Sequence, residues 1–97
     1  MPLFVVEREL PGVTPEALQS AGLRAKTCCA EITDEGQPVR WMRSFFLVEK
    51  SGTHCYFEAP NKDVVEEANR RANIPFTTIV EVMELTPDSE TSSRKAW

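Results

Sequence analysis

Apolar and polar positions along this chain follow two different periods, and each period marks a kind of element. From Leu3 to Glu9 a β-branched, apolar run predicts a first strand, closed by Pro11-Gly12. Thr14 offers a hydroxyl cap, Pro15 suits the first helical position, and Glu16 sits in the first turn, where the helix dipole favours a carboxylate. Leu18, Ala21, Ala25, Cys28, Cys29 and Ile32 then fall on one helical stripe. Gly22 weakens that helix without ending it; Asp34-Glu35-Gly36 and Pro38 end it. Val39 to Glu49 returns to aromatic and β-branched composition, and Thr53 to Ala59 answers it across a Lys50-Ser51-Gly52 turn as a hairpin. Pro60-Asn61 closes that strand and caps a second helix, whose stripe is Val64, Val65, Ala68 and Ala72. On its outer side Glu66/Arg70 and Glu67/Arg71 make pairs four residues apart. Asn73 and Pro75 stop the helix, and Thr77 to Leu85 reads as the last strand.

The order is βαββαβ. With right-handed crossovers it gives an α+β, ferredoxin-like fold: a four-stranded antiparallel sheet with both helices on one face. Residues 1–86 form the domain, and 87–97 a polar Ser/Thr tail in which Trp97 finds no place. The second sheet face carries too many apolar groups to be left to water. A homodimer laid sheet to sheet, a dimeric α/β barrel enclosing a cavity, is the expected cover.

Composition narrows the partners. A net charge of −4 and a pI near 5.0 argue against nucleic acid and anionic membranes. Glu7, Arg8 and Glu9 interrupt the apolar start too early for a signal peptide or a spanning helix, so a cytoplasmic setting is expected. Three cysteines, Cys28, Cys29 and Cys55, read as free thiols. With one histidine and no CxxC pair, a structural zinc site is not expected.

Strand alternation sorts the candidate site residues. Leu3, Val5 and Glu7 share a face, and we expect Trp41, Arg43, Phe45, Cys55, Phe57, Ile79, Glu81 and Met83 to join them on the cavity side. Glu7, Trp41, Arg43, Cys55 and Glu81 are then the ligand-binding candidates for a small anion or metal ion, with Cys55 and His54 the candidate metal donors. The plainer alternative is an interface salt bridge from Arg43 to Glu7 or Glu81, with Cys55 packing as a small hydrophobe. No catalytic residue stands out. His54 and Cys55 are neighbours in a strand and point to opposite faces, which argues against a nucleophilic dyad. An enzyme remains the alternative function: a cofactor-independent monooxygenase or isomerase with Trp41, Phe45, Phe57 and Met83 around a small hydrophobic substrate.

Val6-Glu7-Arg8, W-x-x-S from Trp41 to Ser44, C-Y-F-E-A-P from Cys55 to Pro60, Ile74-Pro75 and I-x-E-V from Ile79 to Val82 together resemble a family of small bacterial proteins. That domain-of-unknown-function family has a nickel-binding protein as its characterised type, and the likeness runs over about residues 3–85. It implies a dimeric ferredoxin-like fold and a nickel or other divalent metal site built from histidines with a cysteine nearby. Cys55 matches the family's strand cysteine; Glu7, Trp41, Ser44, Glu58 and Glu81 match as well. Two positions depart from it: the family often has W-x-H-S where this chain has Arg43, and a second-helix histidine where it has Ala68. A guanidinium in place of an imidazole removes a nickel donor and adds a fixed positive charge, which suits an anion. The resemblance therefore implies a binding protein whose nickel site is altered.

Overall fold

In the computed structural model, which describes residues 1–88, the elements are β1 (Leu3–Glu9), α1 (Pro15–Asp34), β2 (Arg40–Leu47), β3 (Gly52–Glu58), α2 (Lys62–Arg71) and β4 (Thr78–Val82). Most of the expected tail and Trp97 lie outside the described residues. Both helices start where the sequence caps them. The Thr14 hydroxyl accepts from the Ala17 amide at 3.1 Å, and the Asn61 side chain accepts from the Val64 amide at 3.1 Å. Asn73 takes a left-handed φ of 57° just past α2, the conformation that terminates a helix.

The strands form one antiparallel sheet in the order β2-β3-β1-β4. Together with the helices this is the ferredoxin-like α+β arrangement. One sheet face, with Phe4, Val6, Cys55, Phe57 and Ile79, packs against Cys29 and Ile32 of α1 and Val64, Val65 and Ala68 of α2. A smaller cluster of Ala25, Cys28, Ala72 and Ile74 joins the two helices. The hairpin turn differs from expectation at both ends: it begins at Val48, because β2 stops at Leu47, and it ends at Ser51. Gly52 belongs to β3, where a Cβ would stand 2.5 Å from the Arg8 carbonyl oxygen, while Ser51 takes the positive φ of 49°. Gly22 likewise serves close approach, since a Cβ there would meet the Trp41 ring at 3.2 Å.

Candidate functional site

Register decides which residues meet. In β1 against β3, Val6 pairs with Cys55 and Phe4 with Phe57, whereas Glu7 pairs with His54 and Val5 with Tyr56. The odd residues of β1 therefore share a face with the even residues of β3, opposite to the expected grouping. Between β2 and β3, Trp41 faces Phe57 but Arg43 faces Tyr56, so Met42 is the extra residue of a β-bulge. The bulge reverses the alternation inside β2. Trp41 and Ser44 point toward the helices, and the Trp41 indole N–H donates to the Ser44 hydroxyl at 2.9 Å. Arg43 and Phe45 point to the open side.

Three of the expected site residues thus leave the shared face. Cys55 is 7% exposed beneath the helices, Trp41 packs on the same core, and Glu81 lies opposite Phe4 on the helix side of the edge strand. The guanidinium of Arg43 and the thiol of Cys55 lie on opposite sides of the sheet, which corrects the single pocket drawn from the sequence. The Cys55 and His54 pair also splits, as neighbours in a regular strand must. The apolar pocket of the enzymatic alternative divides too, because Trp41 and Phe57 face the helices while Phe45 faces away.

What the open face does assemble centres on Glu7. Its Oε2 lies 3.3 Å from His54 Nε2, and the Thr78 hydroxyl donates a short hydrogen bond to its other oxygen, Oε1. Within one chain it is His54, not Arg43, that stands beside Glu7. Around it stand Phe45, 57% exposed and edge-on to Tyr56 with ring centroids 6.1 Å apart, and Val80, 47% exposed. Arg40 and Glu58 pair at 3.2 Å on the same side. Thr78 was not singled out by the sequence, because its role depends on β4 lying beside β1.

A divalent ion needs more donors than one subunit brings together. Among the described residues no group of three or more His, Cys, Asp or Glu side chains is placed to hold a metal. Cys28 and Cys29 do not supply the deficit: burial pushes the Cys29 thiol up to about 11 and raises Cys28 too, so the thiolate that metals bind is disfavoured. Among the described residues no helix is long and apolar enough to cross a membrane.

Comparison with known proteins agrees with this fold. Residues 4–82 match the family described as nickel responsive protein SCO4226-like. The crystal structure of SCO4226 from Streptomyces coelicolor A3(2) superposes with a TM-score of 0.71 at 21% identity, covering 87% of this chain and 99% of that one. No curated protein matches.

Proposed function

We propose, from the premise that this chain belongs to the nickel responsive SCO4226-like family, that it is a non-enzymatic binding protein for a divalent metal ion, working as a homodimer joined by its open sheet faces. The observation that carries this reading is the Glu7–His54 pair, held by Thr78 in the middle of an exposed, partly aromatic face. A carboxylate beside Nε2 favours the tautomer with the proton on that nitrogen, which leaves the Nδ1 lone pair for a metal. Nickel and its neighbours accept imidazole readily. One subunit offers a single imidazole and its carboxylate; a two-fold axis through this face doubles both. The exposed Phe45 and Val80 support the same assembly, since face-to-face contact removes their apolar surface from water. Arg43, exposed on this face, weakens the site for a bare cation and supplies charge for a small anionic ligand accompanying it. The three free cysteines suit a cytoplasmic setting.

Sedimentation at micromolar concentration, followed by calorimetric titration with nickel, cobalt, copper and zinc, tests the reading. We expect a dimer that binds metal, with binding abolished by His54→Ala, reduced roughly 10–100-fold by Glu7→Gln, and unchanged by Cys55→Ala. Acidification weakens binding, because proton and metal compete for one lone pair. A monomer, or nickel binding indifferent to His54, overturns the proposal.

A further inference from the structure

Beneath α1, on the side of the sheet away from Glu7 and His54, lies a cavity of about 190 Å³. Its deep wall is Arg8, Thr53, Cys55 and Phe57, all buried, and its rim includes the more exposed Leu18 and Phe46. An apolar cavity of roughly 150 Å³ holds a benzene ring, so this one has room for a ring and a small polar group. Most of its lining is apolar, and Arg8, Ser44 and Thr53 bring its polar side chains.

Arg8 is the anomaly there. It is 6% exposed and stands on the otherwise apolar face of β1 with Phe4 and Val6. Its guanidinium donates to the Pro75 carbonyl at 3.1 Å and, through a short bond, to the Asn69 side-chain oxygen. Both acceptors are neutral, and among the described residues no carboxylate pairs with it. A guanidinium stays charged in any folded protein, and a buried charge without a counter-charge is costly. The neighbouring Thr53 hydroxyl accepts from the Cys55 thiol at 3.5 Å, which leaves its own proton to donate.

We propose that this cavity binds a small apolar monocarboxylate, its carboxylate paired with Arg8 and hydrogen-bonded by Thr53, its hydrocarbon body lying between Leu18, Trp41 and Phe57. The ligand supplies the counter-charge that the fold omits. A planar carboxylate also matches the fork of donors that a guanidinium presents. This site is independent of the open-face reading, since none of its residues lies on that face.

Benzoate and its neutral isostere benzamide, titrated separately into the isotope-labelled full-length chain and followed by amide chemical shifts, test the proposal. Benzoate is expected to move the amides of Gly22, Thr53 and Cys55, with benzamide binding roughly ten-fold or more weakly. Arg8→Met should erase the difference between the two. Asn69→Asp is the second variant, chosen because it keeps side-chain shape while giving Arg8 an internal carboxylate; it should weaken benzoate roughly ten-fold and leave benzamide unchanged. The proposal is overturned if benzoate leaves these amides still, if benzamide binds as well as benzoate, or if Asn69→Asp leaves benzoate affinity intact.

Discussion

The two faces of the sheet are made by the same strands under the same alternation, yet they end in opposite states. On the helix side Phe4, Val6, Phe57 and Ile79 are nearly sealed, and the buried charge beside them, Arg8, has only neutral hydrogen-bond partners among the described residues. On the open side Phe45 and Val80 stay exposed, Glu7 stands beside His54, Arg40 pairs with Glu58, and Arg43 is exposed to water. Water explains the difference. A charge on the open side keeps its hydration and needs little from a partner, whereas a charge beneath the helices depends on whatever lies beside it. Apolar groups follow the reverse logic, which is why the proposed partner surface is assigned to the open face and the proposed ligand to the covered one.

The largest test of that contrast is a pair of aromatic truncations. Phe57→Ala empties the centre of the covered face, where Phe57 is 1% exposed, and should cost about 3–5 kcal/mol in urea unfolding. Phe45→Ala removes a similar ring from the open face and should cost about 1 kcal/mol or less within the subunit, its main effect falling on self-association. Equal losses at both positions would mean that the open face is already part of the subunit's own core.

Asn69→Ala comes next. Asn69 is 1% exposed, accepts from Arg8 and donates to the Val65 carbonyl at 2.8 Å. Truncation leaves the buried guanidinium short of an acceptor, and about 1–3 kcal/mol of stability should go with it. A loss far below that range would show that Arg8 reaches solvent, and the contrast between the faces would lose its electrostatic half.

How far these faces can be read from sequence depends on what each step requires. Element type was legible because it rests on local signals: the hydroxyl and amide caps at Thr14 and Asn61, the helical stripes, and the stop at Asn73. Partition of residues between faces was legible within the regular strands, as Leu3, Val5 and Glu7 against Phe4, Val6 and Arg8 illustrate, though not within the bulged β2. What failed was parity between strands. Pairing Glu7 with His54 rather than Thr53 is a matter of hairpin and crossover geometry, and a slip of one residue exchanges every side chain between faces. The bulge at Met42 compounds this, since no residue there announces it. One signal was available and unused: a lone arginine in the apolar set of β1 marks either an exposed face or a functional one.

The bulge itself offers a smaller test. Because Met42 reverses the alternation, Trp41 and Ser44 share the helix side and are joined at 2.9 Å. Ser44→Ala should cost about 0.5–1.5 kcal/mol and shift indole fluorescence, with no effect on residues of the open face. Should the substitution disturb the Glu7–His54 pair instead, the bulge would be coupling the two faces rather than separating them.

The smallest effect is expected at the rim of the helix layer, where Arg71 of α2 donates to Glu35 just past α1 at 2.7 Å and to Glu67 at 3.0 Å. The hydrogen bond from Arg71 holds the Glu35 carboxyl below its ordinary value, with the nearby positive charge helping and desolvation opposing. A carboxyl depressed on folding contributes stability above its unfolded value and loses that contribution as pH falls through the lowered folded one. Glu35→Gln should therefore lower stability slightly near neutrality, where the contribution is present, make no difference in acid, and so flatten the acid limb; high salt shrinks the effect, because the pair is exposed. A loss at neutral pH matching that of Asn69→Ala would mean that rim charges, rather than the buried stripe of Val65 and Ala68, dock α2, and the covered face would owe its closure to electrostatics after all.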